Sequence, residues 1–187
     1  MNILTDTLPN CVNIGGKLFP INTDFRVGIH FEQLMLDEGI SAETKFMEAK
    51  QLYFGETLLP PKFDEEITDK ILWFYRCGKD EKKKAQTTHE RVYDFDYDSK
   101  WIFAAFKEQY QIQIDENLKM HWWTFRALFD ALSDDTEFVK IMGYRAIKIS
   151  DKIMKRLHKL PMSKAEEKRI NDIEDALINR KNLENVL

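Results

Sequence analysis

The order of apolar and polar residues predicts a small β-hairpin followed by a series of helices. In residues 12–21, VNIGGKLFPI, short apolar runs flank Gly15 and Gly16. A Gly-Gly pair readily adopts the positive φ angles of a tight turn, and Pro20 restricts the second strand because it cannot donate a ladder hydrogen bond. The N-terminal part is therefore expected to be a hairpin.

The rest of the body has helical spacing of its apolar residues. Six stretches follow this pattern: 22–39, 41–55, 64–78, 98–110, 115–133 and 134–150. Their expected N-terminal caps are, in order, Asn22 or Thr23, Ser41, the acids from Asp64, Asp98 or Ser99, Asp115, and Asp134 or Asp135. The sequence thus predicts a mainly α, compact multi-helix domain with a small N-terminal hairpin and a C-terminal helical extension.

A change in composition suggests where the body ends. Residues 150–187 have no aromatic residue and a charge of +2, against −6 for residues 1–149, and Pro161 interrupts them. We therefore predict a helical body over 1–149 and a charged helical extension over 150–187. In the extension Ile170, Ile173 and Leu177 share one stripe, which predicts a helix that docks on a partner. Residues 79–91, KDEKKKAQTTHER, have no apolar period and are interpreted as a solvated loop.

Three alternating acids, Asp94, Asp96 and Asp98, resemble the start of a calcium-binding loop. Such a loop needs glycine at its sixth position and glutamate at its twelfth, and the chain has Ser99 and Ala105 there. The better interpretation is an acidic, half-exposed extended segment whose last acid caps a helix. We predict that it binds no metal.

Composition narrows the possible functions further. The net charge is −4, so no general positive field exists for nucleic acid, and no stretch has the length of a membrane span. The two cysteines are expected to be reduced, the N-terminal residues lack the pattern of a signal peptide, and the four histidines are far apart in the sequence. No zinc or nucleophile motif occurs, which predicts a protein that is not an enzyme and needs no cofactor.

Two aromatic sets, WFY at 73–75 and HWW at 121–123, are the candidate binding features. No basic groove surrounds them, so they are a poor site for stacking nucleic-acid bases. Adjacent rings on a helix point about 100° apart, so one ring of each set is expected in the core and another toward a neighbouring helix or partner. His121 is interpreted as a partly exposed helix histidine rather than a buried switch. The candidate protein-binding residues are Trp73, Tyr75, Trp122, Trp123, Ile170, Ile173 and Leu177.

Five strings together resemble a known family: FPINTDFRV, ILWFYRCGK, YDFDYDSKWIFAAFKEQY, HWWTFRALFDAL and KIMGYRA. Over roughly residues 12–150 the chain is similar to small tail-assembly proteins of tailed phages and prophages of Gram-positive bacteria, encoded next to the tape-measure gene. Gly28 and His30 depart from the resemblance, since bulkier or basic residues are expected there.

The resemblance implies a tail-assembly chaperone that binds the tape-measure protein during tail-tube assembly. Its expected partners are the tape-measure protein and other tail-assembly proteins, with a possible homo-oligomer, in the host bacterial cytoplasm and not in the mature virion. The alternative is a structural tail component, such as a completion or joining protein retained in the virion. A metal-dependent nuclease that uses the aspartates of 94–98 is the third class and the least favoured.

Overall fold

A computed structural model describes residues 2–79 and 92–146 of the chain. Over these ranges the fold is mainly α with one two-stranded N-terminal hairpin, as predicted. The strands are β1 (Cys11–Ile14) and β2 (Lys17–Pro20). The helices are α1 (Phe25–Leu36), α2 (Ala42–Phe54), α3 (Asp64–Tyr75), α4 (Ser99–Tyr110), α5 (Trp122–Asp130) and α6 (137–146), and a 3₁₀ turn, Pro61–Phe63, precedes α3. No helix in the described ranges has the length and apolar character to cross a membrane.

The hairpin forms where the Gly-Gly pair predicts it. Ile14 pairs with Lys17, and Gly15 and Gly16 have φ angles of +57° and +81°. Gly15 also lies against the ring of Phe63, where a Cβ atom would be only 2.2 Å from the nearest ring carbon. Its backbone N–H donates to Glu66 Oε2 at 3.0 Å. The hairpin turn is thereby held on the first turn of α3.

Helix α2 begins and ends as expected, and α3 begins as expected but ends at Tyr75, before the predicted Gly78. Ser41 caps α2 by accepting a hydrogen bond from the Thr44 backbone N–H, and Gly55, with φ +58°, follows its last residue. Helix α3 starts at Asp64 with three acids in its first turn, where the helix dipole favours negative charge. Local sequence signals are sufficient for both ends of α2 and for the start of α3.

Three of the predicted caps are wrong. Helix α1 is capped by Asp24, not by Asn22 or Thr23. Asp115 closes a turn by accepting from the Asn117 and Leu118 N–H groups, and α5 begins only at Trp122. Thr136, not Asp134 or Asp135, precedes α6 and accepts from the Val139 N–H at 3.4 Å.

Pairing between two distant segments explains the late starts of α1 and α5. The Trp122 N–H donates to Thr23 O at 2.7 Å, and the Phe25 N–H donates to Met120 O at 3.0 Å. Asp24 and His121 form an antiparallel bridge between these bonds. Both segments are extended because this tertiary pairing satisfies their backbone groups, and each helix starts only where the pairing stops.

The acidic stretch closes into a turn, so its predicted extended form is wrong. The Asp98 carboxylate is fully buried and accepts from the Asp94 N–H at 2.9 Å. Asp94 Oδ1 in turn accepts from the N–H groups of Asp96 and Tyr97. Asp98 does precede α4, but the described bonds of its side chain go back to the turn and not to the helix.

Stacked aromatic rings form the core of the body. The ring of Phe125 in α5 stacks on Phe25 of α1 and on Phe106 of α4, each with centroids 5.0 Å apart. Trp122 and Phe129 extend this stack along α5. One helix thus organises the packing of two others, and all five of these rings come from the strings that carry the family resemblance.

The chain divides into two compact units. The described part of the first is 2–79 and 93–139; the described part of the second is residue 92 and 140–146. Within the second unit the Arg145 guanidinium donates to Val92 O at 3.0 Å. The predicted boundary at residue 149, the extension and most of the predicted solvated loop lie outside the described residues, so the domain division stays a prediction.

Candidate functional site

Four of the predicted binding residues meet at the C-terminal end of α3. Trp73 contacts Trp123 edge-on with ring centroids 5.5 Å apart. Tyr75 stacks on Trp122 at the same distance, with an interplanar angle of 16°. The WFY and HWW strings, almost 50 residues apart in the sequence, therefore build one aromatic cluster.

Trp122 and Trp123, called here the tryptophan pair, bind the end of α3 through their indole N–H groups. Trp122 Nε1 donates to Tyr75 O at 2.8 Å, and Trp123 Nε1 donates to Phe74 O at 2.7 Å. The last carbonyl groups of a helix have no partner within the helix. Two consecutive side chains of α5 thus donate hydrogen bonds to carbonyl groups at the end of α3.

The chain after α3 makes a Schellman turn. The Cys77 N–H donates to Phe74 O at 3.0 Å, and the Gly78 N–H donates to Trp73 O at 2.9 Å. Cys77 has a φ of +55°, a conformation that costs a residue with a side chain about 1 kcal/mol relative to glycine. Helix α3 therefore ends in a sharp turn just where the tryptophan pair binds it.

Two glycines leave room for the tryptophan pair. A Cβ atom on Gly28 of α1 would be 2.3 Å from the Trp122 ring, and one on Gly78 would be 2.9 Å from the Trp123 ring. Real Cβ contacts are not this short, so Trp122 occupies the space that a side chain at position 28 would fill. This explains the departure of Gly28 from the bulkier residue that the resemblance predicts.

His121 is the N-cap of α5, so its interpretation as a residue within a helix is wrong. Its Nδ1 accepts a hydrogen bond from the Trp123 N–H at 3.0 Å, and its Nε2 lies 3.0 Å from Pro9 O. The ring is half-buried against Phe74 and Trp123. Burial lowers the pKa of His121, and its bond to the Pro9 carbonyl opposes that shift.

A buried polar network adjoins the aromatic cluster. Glu32 of α1 is only 8% exposed, and its Oε2 accepts from the hydroxyl of Tyr75 and, at 3.4 Å, from that of Tyr93. Arg126 of α5 donates to the Tyr93 hydroxyl at 3.1 Å and to Asp130 at 3.0 Å. Burial raises the pKa of both tyrosines, so both are protonated donors at neutral pH. The Tyr75 hydroxyl is thus occupied inside the protein.

The sequence interpretation missed this network. The sequence signal for this network is the position of Glu32. It lies one helical turn after Gly28 and therefore on the face of α1 that packs against Trp122. An acid on an apolar helix face needs a partner, which is a reason to look for donors elsewhere in the chain. The sequence does not show which donors reach it.

The four rings of the aromatic cluster differ in how much of their surface is exposed. Trp122 and Trp123 are 1% and 4% exposed and are enclosed by the protein's own helices, whereas Trp73 and Tyr75 are half-buried. Partner binding by any of these rings stays a prediction. Ile170, Ile173 and Leu177 lie outside the described residues.

In the described part of the chain, no group of three or more His, Cys, Asp or Glu side chains is placed to hold a metal ion. The Asp94 and Asp98 carboxylates accept backbone hydrogen bonds of their own turn. The prediction that this stretch binds no metal is left to direct titration.

Comparison with known proteins gives one match. The family model described as Bacteriophage Gp15 protein matches residues 4–169, beyond both ends of the region expected from the resemblance. Neither the curated proteins nor the solved structures contained a match. The matched range includes the tryptophan pair, Gly28 and the end of α3. Since the match covers most of the chain, this protein belongs to the bacteriophage Gp15 protein family.

Proposed function

We propose that the protein acts in phage tail morphogenesis as a chaperone that binds the tape-measure protein while tail-tube subunits assemble around it. Membership of a phage protein family carries the proposal, together with the five aromatic-rich strings that resemble tail-assembly proteins of Gram-positive phages. The protein works without catalysis in the host cytoplasm and leaves before the virion is complete. Its partners are the tape-measure protein and other proteins of tail assembly.

Apolar side chains on the surface of the body support a binding role. Leu58 and Leu4 are 94% and 89% exposed, and Leu18 and Met47 are 71% and 57% exposed. A chaperone holds an assembly intermediate by covering apolar surface that is later buried elsewhere. Single exposed aliphatic residues are common, so these side chains add support and do not define the site.

Two surfaces are candidates for the tape-measure protein. The first is the open part of the aromatic cluster at Trp73 and Tyr75, and the second is the stripe of Ile170, Ile173 and Leu177. Burial of three aliphatic anchors contributes on the order of 4–8 kcal/mol before ordering costs, which is enough for a reversible complex. The enclosed tryptophan pair is the less suitable surface, because exposing it breaks the two indole hydrogen bonds to the end of α3.

Co-expression with the tape-measure protein tests the proposal. The protein should keep its partner soluble and co-purify with it, and a partner that is equally soluble alone would contradict the proposal. Replacement of Ile170, Ile173 and Leu177 by serine should abolish co-purification if the extension binds. Trp73→Ala should abolish it if the aromatic cluster binds, with Trp101→Ala as a matched control at a second half-buried tryptophan. Circular dichroism must show that each variant is folded.

Mass spectrometry of purified virions separates the chaperone from a structural tail component. A chaperone leaves no stoichiometric peptides in finished particles. Detection of the chain at fixed copy number would make it a completion or joining protein and would overturn the proposal.

A further inference from the structure

We propose that His121 is a proton-sensitive cap: a proton on its Nδ1 releases the N-terminus of α5 and loosens the tryptophan pair at the end of α3. The proposal concerns the folded body and does not depend on the proposed function. Its basis is that both ring nitrogens of His121 have fixed and different hydrogen-bond roles.

The two partners of His121 determine its tautomer. The Trp123 backbone N–H can only donate, so Nδ1 must carry a lone pair at their 3.0 Å contact. The Pro9 carbonyl can only accept, so Nε2 must carry the proton at its 3.0 Å contact. The native structure therefore requires the neutral Nε2–H form of the ring.

Protonation is compatible with one of these bonds and not with the other. An imidazolium still donates from Nε2 to Pro9, but its Nδ1–H faces the Trp123 N–H, and two donors repel each other. The positive charge also lies at the N-terminus of α5, where the helix dipole disfavours cations. The α5 cap is lost at the residue that immediately precedes the tryptophan pair.

The loss reaches α3 through a short chain of contacts. Trp123 gives its backbone N–H to His121 and its indole N–H to Phe74 O. The rings of His121, Phe74 and Trp123 are also in mutual contact. Release of the cap frees the Trp123 backbone, so the indole bond to α3 is the next interaction to weaken.

Within residues 2–79 and 92–146, the charged groups near the ring do not provide a strong counter-ion for the imidazolium. On the segment paired with His121, the Asp24 carboxylate binds the Arg26 guanidinium at 3.2 Å and caps α1. The N-terminal segment faces the ring with the Pro9 carbonyl, α3 with the Phe74 ring, and α5 with Trp123. Arg126, further along α5, is bound to Asp130.

The direction of the pH effect follows from the lowered pKa of His121. The ring has an ordinary pKa of 6.5 when exposed, and burial lowers it in the folded chain. Well above pH 6.5 the His121 ring is neutral in both the folded and the unfolded chain, so stability is unaffected. Below pH 6.5 the His121 ring is protonated in the unfolded chain but still neutral in the folded chain. The folding equilibrium constant therefore falls by up to tenfold per pH unit until the pKa of the folded chain is reached.

NMR of the wild-type protein tests the proposal directly. The ¹⁵N shifts of His121 should show the Nε2–H tautomer at pH 7.5 and titration below 6.5. Over the same pH range the protection factor of the Trp123 indole N–H, which corrects for the intrinsic pH dependence of exchange, should fall, while that of Trp101 should not. A protonated Nδ1 at pH 7.5, or a pKa of 6.5 or above, would overturn the proposal.

A stability comparison gives a second test. Asparagine caps helices well and does not titrate, so His121→Asn should retain the fold and lose less stability than wild type between pH 7.5 and 5. His30→Asn is the control, because it removes an exposed histidine of α1 and leaves the His121 cap in place, so the loss of stability should persist in that variant. If the free energy of unfolding depends equally on pH in wild type and His121→Asn, the proposal is contradicted. If the variant does not fold, the NMR titration of the wild-type protein decides.

Discussion

Gly28 lies in the middle of α1, where alanine is ordinarily the better residue. Gly→Ala within a helix stabilises by about 1 kcal/mol because glycine has more backbone freedom to lose. At position 28, however, the added methyl group would be 2.3 Å from the Trp122 ring. We therefore expect Gly28→Ala to destabilise the protein, against the usual trend.

The magnitude follows from two costs and one gain. Overpacking of a dense core costs about 1–3 kcal/mol. Moving the Trp122 ring strains its 2.8 Å bond to Tyr75 O, and loss of such a bond costs about 0.5–1.5 kcal/mol. After subtraction of the helical gain of about 1 kcal/mol, a net loss of about 2 kcal/mol is expected, which corresponds to a Tm decrease of about 4–8 °C for a chain of this length.

Gly143→Ala is the matched control. Gly143 also lies within a helix, α6, but no described heavy atom outside its own stretch of helix is within 4 Å of the Cβ position there. That variant should be more stable than wild type by about 0.5–1 kcal/mol. Chemical denaturation of both variants by the same protocol measures the difference.

A double-mutant cycle tests whether Trp122 causes the loss. In a Trp122→Phe background the smaller ring leaves more room, so Gly28→Ala should cost less than it does in wild type. If Gly28→Ala instead stabilises the protein as Gly143→Ala does, or if the two changes at 28 and 122 are additive, the proposed packing of Trp122 against α1 is wrong.

The other predictions concern separate parts of the chain. The Tyr53 hydroxyl is buried without a hydrogen-bond partner among the described residues, so Tyr53→Phe should leave the free energy of unfolding unchanged or raise it by about 1–2 kcal/mol, as measured in urea. Burial raises the pKa of the Cys77 thiol to about 11, so at neutral pH native Cys77 is about 100-fold less ionised. Because a thiolate becomes more nucleophilic as its pKa rises, its reaction with a thiol reagent should be slower than in the urea-unfolded chain by about tenfold or more, as followed by peptide mass spectrometry. Calorimetric titration with calcium, magnesium and manganese should give no heat above dilution, and a micromolar calcium site that Asp96→Ala removes would contradict this. A chain that ends at residue 150 should melt cooperatively with little loss of stability, whereas an insoluble or molten product would place the extension in the core.

Local signals in the sequence were sufficient for several elements. Gly15-Gly16 predicts the hairpin turn, Ser41 and Gly55 predict the two ends of α2, and the acids from Asp64 predict the start of α3. In each case the responsible interaction lies within a few residues, because turn conformation, side-chain capping and the helix dipole act over one helical turn. The fold class follows from the same local patterns.

The tertiary structure decided which contacts the residues of the aromatic strings make. Helical spacing identified Trp73, Tyr75, Trp122 and Trp123 as notable, but only the packing of α5 on α3 shows that the tryptophan pair hydrogen-bonds the end of another helix. Pairing of the segments before α1 and α5 likewise moved both helix starts away from their local signals. Hydrogen bonds between residues far apart in the chain depend on which segments the fold brings together, and a single sequence has no local period that records this.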